Sequence, residues 1–195
     1  DGGSIVFDGW NEPGWDLAYR RSHIYVIEID STDITQLTDE VGFWTAPEVS
    51  ADGRQIAYTG YPATEATYEL PRVHVMNSDG SDARQVNDDF ERPVGNMIWA
   101  SNNRGVYFTG QDEGYVNVFY MGLNGDVRTV TEGQHSMTLN SMNRNGNVGV
   151  GIGASFYEPG DVVSYSLSGR GSPQQLTTVN DDLLANKSLG HHEEI

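Results

Sequence analysis

The chain repeats itself, and that property narrows its fold more than any other. The pairs Leu37-Thr38, Val86-Asn87, Val130-Thr131 and Leu176-Thr177 recur 44 to 49 residues apart. Each closes a similar phrase: HIYVIEIDSTDITQLT, RVHVMNSDGSDARQVN, NVFYMGLNGDVRTVT and DVVSYSLSGRGSPQQLT. Each phrase reads as a strand, a polar turn and a short second strand, because β-branched and aromatic residues alternate there and Gly, Asn, Asp and Ser hold the turns. A second phrase lies upstream of three of them: APEVSADGRQIAYTG, MIWASNNRGVYFTG and SMNRNGNVGVGIG. Asp52-Gly53, Asn102-Asn103 and Asn145-Gly146 occupy one turn slot, and such pairs supply the positive φ that a tight hairpin needs. Ile5-Val6-Phe7 reads as the same strand in a first, truncated copy.

Each unit is therefore a pair of hairpins, about four short strands. Only Asp181–Asn186 hints at a helix. Four-stranded units at this period predict an all-β fold, a β-propeller segment whose small antiparallel sheets stack face to face. The repeats fall at about 1–39, 40–88, 89–132 and 133–180, with 181–195 as an exit segment. With an incomplete first copy, the segment reads as part of a larger propeller. Terminal sheets of such a piece present faces meant for neighbours, so self-association through those open faces is expected.

Composition removes several functions. There are 28 acids against 11 Lys and Arg, a formal charge of −17, and phosphates would be repelled, so no nucleic-acid partner is expected. No apolar stretch is long enough to span a bilayer as a helix. Without cysteine there is no disulfide, thiolate nucleophile or Cys-based zinc site. The cations are ten Arg and Lys187 alone, a balance that suits solubility at high salt as well as an ordinary acidic protein. The compartment stays open between cytoplasm and periplasm.

The stretch from Pro47 to Tyr58, PEVSADGRQIAY, resembles the P-x-W-S-P-D-G-x-x-I-A-Y/F repeat of TolB-type propellers. The stretch VMNSDGSDARQV, from Val75 to Val86, resembles its partner phrase, V-x-D-x-D-G-x-x-x-R-Q-L-T. Val49 and Ala51 depart from that repeat, at its tryptophan and second proline. These repeats occur in TolB and in the N-terminal propellers of the prolyl oligopeptidase family. The run QLTTVNDDLL followed by LGHHEEI is similar to the exit of the last blade in acylaminoacyl-peptidase-like members. The resemblance implies a propeller portion that gates access to a serine-peptidase active site and helps position peptide substrates. Its partners would be an α/β-hydrolase domain of the same parent chain and the peptides themselves. The family's G-x-S-x-G motif does not occur here, since Gly153-Ala154-Ser155-Phe156-Tyr157 breaks it at the last position, so no catalytic residue carries over. The alternatives are a TolB-like periplasmic protein–protein interaction module and a propeller glycosidase or lyase with carboxylates converging on the axis.

Candidate contact residues sit where the repeat is interrupted. NEPGWDLAYRR and the stretch 61–72 are longer than hairpins need, and long connections in compact folds often carry function. Trp10, Trp15, Tyr19, Arg20, Arg21, Tyr61, Tyr68 and Arg72 are the substrate-contact candidates, because Arg clamps carboxylates and aromatics pack against peptides. No cofactor or metal is expected. His191-His192-Glu193-Glu194 lacks the i, i+4 histidines of a helical zinc site. Asp79-Gly80-Ser81-Asp82 opens like a calcium loop, but no suitable Glu follows, and it reads as turn chemistry. His23 and His74 read as strand residues of the repeat. Gly149-Val150-Gly151-Ile152-Gly153 opens no helix, and reads as a crowded innermost strand rather than a phosphate loop.

Overall fold

The alternating phrases become strands, and the turn pairs become the corners between them. The computed structural model describes residues 2–14, 17 and 19–191, and the fold is all-β apart from one short helix, α1 (Asp181–Leu184), where the sequence hinted at one. The first sheet holds β1 (Ser4–Gly9), β2 (His23–Glu28) and β3 (Ile34–Gln36). The second holds β4 (Gly42–Val49), β5 (Gln55–Pro62), β6 (Arg72–Asn77) and β7 (Arg84–Gln85) in sequential antiparallel order.

The third sheet has nine strands rather than two separate groups of four. It contains β8 (Val94–Trp99), β9 (Gly105–Asp112), β10 (Tyr115–Gly122) and β11 (Val127–Thr129). It continues with β12 (Ser136–Met137), β13 (Ser141–Met142), β14 (Val148–Ala154), β15 (Asp161–Ser166) and β16 (Gln174–Gln175). The two groups fuse through one parallel contact, Val116 opposite Ser136, closed by the Val116 N–H on the His135 carbonyl at 3.0 Å. The glycine-rich segment is β14, flanked by β12 and β13 on one side and β15 on the other. It is the second strand of its group, not the innermost one. A Cβ on Gly151 would lie 1.8 Å from the Thr138 carbonyl oxygen, so the crowding comes from the segment joining β12 to β13.

The turn slot behaves as its residues dictate. Gly53, Asn103 and Gly146 have φ of 71°, 56° and 65°. Each donates its N–H three residues back, to Ser50, Ala100 and Asn143, at 2.8–2.9 Å. Asp79 accepts from the Ser81 N–H and hydroxyl, so that acidic turn is held by its own side chains.

The closing pair of each repeat has one structural task. Leu37, Val86, Val130 and Leu176 donate their N–H groups to the carbonyls of Ile24, Val73, Val118 and Val162 at 2.7–2.8 Å. The hydroxyls of Thr38, Thr131 and Thr177 accept in return from the N–H groups of Ile24, Val118 and Val162. Those hydroxyls also meet a buried polar side chain, His23, Asn117 and Asp161 respectively. In the second repeat Asn87 replaces the threonine and Arg72 takes the matching strand position.

Neighbouring units lock through that same pair. The turns carrying Gly80, Gly125 and Gly169 rest on the preceding unit, at φ of 87°, 92° and 75°. A Cβ on these glycines would lie 2.9, 3.0 and 3.1 Å from the carbonyl oxygens of Leu37, Val86 and Thr129. Arg84 and Arg128 reach forward and donate to the carbonyls of Leu123 and Leu167 at 3.0 and 2.9 Å. Three apolar cores fill the joints. Ile24 and Leu37 meet Trp44, Ile56 and Met76; Val73 and Val75 meet Met97, Phe108 and Met121; Val118 and Val130 meet Met137, Leu139 and Leu167. Full burial of one such side chain contributes about 1.5–3 kcal/mol, so the joints carry much of the stability.

Candidate functional site

Antiparallel order divides the molecule into two ends. The β4–β5 and β6–β7 turns lie at one end, and the connections 10–22 and 63–71 leave from the other. The two long connections are therefore neighbours, one from the first sheet and one from the second. Backbone contacts fix their roots. Ser22 forms an isolated parallel bridge with Phe43, and its Oγ donates to the Trp44 carbonyl at 2.7 Å. The Ala63 N–H donates to the Val41 carbonyl at 2.9 Å.

A cavity of about 630 Å³ opens between these connections, lined by Tyr19, Arg20, Arg21, Tyr61 and the segment 63–67. Arg20 is its centre. Its backbone has φ of 56°, a left-handed conformation that is uncommon for a residue with a long side chain. Its Nη1 donates to the Thr67 carbonyl at 2.9 Å, and its guanidinium lies 5.1 Å from the Tyr19 ring centroid. A side-chain hydrogen bond given by the guanidinium to the Tyr19 phenol oxygen, with a weaker contribution from Tyr61, raises the Arg20 pKa above its ordinary value. Tyr61 itself is buried, its ring tilted against Phe43 at 5.6 Å.

Four of the eight candidate residues thus meet in one place: Tyr19, Arg20, Arg21 and Tyr61. Trp10 stacks on the buried His23 ring at 5.3 Å and belongs to the first sheet's packing. Tyr68 is exposed and does not line the cavity. Arg72 turns the other way and donates to the Phe90 carbonyl at 2.7 Å. Trp15 lies outside the described residues. Sequence reasoning missed the backbone of 64–67, which supplies the wall and the Thr67 acceptor; the length of the insertion was its one signal.

Two other places look chemical. His23 Nδ1 lies 3.0 Å from the Thr38 hydroxyl, an imidazole–hydroxyl pair of the kind that activates a nucleophile. Both residues are buried, and Asn117–Thr131 and Asp161–Thr177 repeat the pair without an imidazole. It is a strut of the repeat. His135 borders a smaller cavity of about 240 Å³ with Gly114, Ser136 and Ala154. Its Nε2 is buried without a hydrogen-bond partner, and burial lowers its pKa. Among the described residues no cluster of His, Asp and Glu could hold a metal ion, and His192, Glu193 and Glu194 lie outside those residues.

The cavity thus gathers the guanidinium groups of Arg20 and Arg21, the exposed phenol of Tyr19 and the buried ring of Tyr61. No family model matches the chain. It is 28% identical over 140 residues to dipeptidyl-peptidase 5 of Porphyromonas gingivalis, covering 69% of this chain and 20% of that protein. The chain spans about a fifth of the length of that curated relative. Among solved structures it superposes on an acylaminoacyl peptidase of Pyrococcus horikoshii with a TM-score of 0.72 and 23% identity, over 96% of this chain and 28% of that one. TolB from Acinetobacter baumannii matches with a TM-score of 0.64 and 15% identity, over 90% of this chain and 41% of that one. The fold is that of an open, propeller-like all-β array, related to the propellers of acylaminoacyl peptidases and of TolB. Among the described residues, no helix is long and apolar enough to cross a membrane.

Proposed function

We propose that this chain is the non-catalytic propeller portion of a serine peptidase of the acylaminoacyl-peptidase or prolyl oligopeptidase type. In this reading its four repeats, 1–39, 40–88, 89–132 and 133–180, form part of a ring over an α/β-hydrolase active site supplied by the same parent chain. The segment 181–195 leads toward that domain. The propeller restricts entry, and its long connections hold the peptide. The observation that carries the reading is the cavity of Tyr19, Arg20, Arg21 and Tyr61, built from the two connections that break the repeat and placed at one end of the sheets. The dipeptidyl-peptidase and acylaminoacyl-peptidase likenesses support it.

The TolB likeness, over nine-tenths of the chain, supports a second reading: a protein–protein interaction module of the periplasm. The gene decides between them. Under the peptidase reading the codons after Ile195 encode a G-x-S-x-G nucleophile elbow with a later Asp and His, within a few hundred positions. A downstream sequence without that elbow defeats the peptidase reading and favours the module.

A further inference from the structure

The cavity brings two guanidinium groups, Arg20 and Arg21, together on a chain whose formal charge is −17. The chain carries 28 acids and 11 Lys and Arg. Yet among the described residues the one ion pair within 4.0 Å joins Arg92 to Asp112, at 2.9 Å. Neither Arg20 nor Arg21 has a carboxylate partner there. Glu65 lines the same cavity without reaching ion-pair distance of either guanidinium.

Arg20 is also held in place before any ligand arrives. The Thr67 carbonyl takes one of its five N–H donors, the Tyr19 ring lies beside its plane, and Tyr61 stands beyond. A guanidinium restrained in this way loses little side-chain entropy when it binds, and its remaining donors form a fork. Arg21, exposed on the next residue, adds a second positive charge at the rim. A planar, two-oxygen anion matches this arrangement through paired N–H···O bonds.

We propose that this cavity reads a peptide carboxylate, either an acidic side chain or a free C-terminus, through Arg20 with Arg21 as the second charge. The inference rests on the reading of the cavity as a peptide contact. It adds the substrate class: acidic or carboxylate-ended peptides over neutral, capped ones.

The test is a titration of the full chain followed by the arginine Nε–Hε signals in NMR. Three probes are used: an acetylated, amidated tetrapeptide containing Asp, its Asn counterpart, and the Asn peptide with a free C-terminus. Sodium sulfate is titrated separately. The expected result is a saturable shift of the Arg20 signal with the Asp peptide, the free-acid peptide or both, and none with the capped Asn peptide. The two acidic probes tell a side-chain carboxylate from a terminal one. Followed by the Arg21 Nε–Hε signal, which both variants retain, Arg20→Gln weakens the binding about tenfold or more, as loss of a charge-assisted hydrogen bond requires, while Arg170→Gln at the opposite end leaves it unchanged. Unchanged dispersion in the Arg20→Gln spectrum shows that the fold survives. Equal shifts from all three peptides, a sulfate response as strong as the best peptide, or no shift from any probe overturns the inference. A carboxylate-specific shift in a protein whose gene lacks the downstream G-x-S-x-G leaves this site standing and defeats the peptidase reading alone.

Discussion

Leu37 and Leu176 occupy the same place in the first and fourth repeats, yet one is 7% exposed and the other 51%. Both donate the same backbone hydrogen bond, to Ile24 and to Val162. The local structure is identical; what differs is the unit that follows. Over Leu37 rest the Gly80 turn and the ring of Trp44, whereas Leu176 shares an open face with Val148 and Ile152. The other end repeats the contrast. Ile5 and Ile56 pair with equivalent residues of the next strand, Ile27 and Met76, but Ile5 is 55% exposed and Ile56 1%. Strands and turns are thus set within a repeat, and burial is set between repeats. The two outer faces have the composition of joints, and we propose that further units of the same kind cover them.

The largest effect that sharpens this contrast is truncation inside a joint. Leu37→Ala or Leu139→Ala removes a buried side chain and lowers unfolding free energy by about 2–5 kcal/mol in urea denaturation. Leu176→Ala at low protein concentration changes it by about 0.5 kcal/mol or less. Equal losses at Leu37 and Leu176 would break the comparison.

Glycine substitutions separate backbone strain from joint contact. Gly125 and Gly171 both have positive φ, 92° and 86°, but only Gly125 faces a neighbour, the Val86 carbonyl. Alanine at either position costs about 1–2 kcal/mol for the left-handed backbone. Gly125→Ala costs more than Gly171→Ala, because its Cβ must also push the second unit away. Equal thermal shifts for the two variants would show that the turn does not bear on the joint.

The open faces give a third effect. At high concentration the chain self-associates, seen as a rise in weight-average mass by sedimentation, and Leu176→Asp suppresses it. A wild-type protein that stays strictly monomeric would mean that its outer apolar faces are inert.

The smallest effect is with pH. His74 packs inside the first joint, stacked on Tyr58 at 5.3 Å and edge-on to Trp44 at 4.9 Å. Burial lowers its pKa below the ordinary 6.5, and His135 shifts the same way. The unfolded chain therefore binds protons more readily, so their contribution to stability is full above 6.5 and falls as pH drops below it. Denaturation midpoints decline from pH 7.5 to 5, and His74→Gln flattens the slope. A slope unchanged in that variant would assign the whole effect to His135 or to the carboxylates.

Much of the fold was legible because each repeat writes its own strands and turns. Asp52-Gly53 and Asn145-Gly146 turned where their φ preferences require, and the pairs Leu37-Thr38, Val86-Asn87 and Val130-Thr131 marked the three joints. The nine-stranded sheet was not legible, since the fusion is a single parallel contact at Val116 and Ser136 that no residue pattern encodes. Nor was the place of β14, because alternating glycines fit any strand that another backbone approaches closely. At the candidate site, the interrupted repeat pointed to the two connections that line the cavity. It could not show that Arg72 would turn to Phe90 while Arg20 was held by Thr67, since that choice depends on distances across sheets.

The central claim is the proposal that this chain positions peptides for a hydrolase domain encoded by the same gene. The most direct measurement is hydrolysis of peptide p-nitroanilides by the purified chain and by the full product of its gene. The account predicts no turnover by residues 1–195 alone and clear turnover by the full gene product. Turnover by residues 1–195 that survives repeated purification would contradict it.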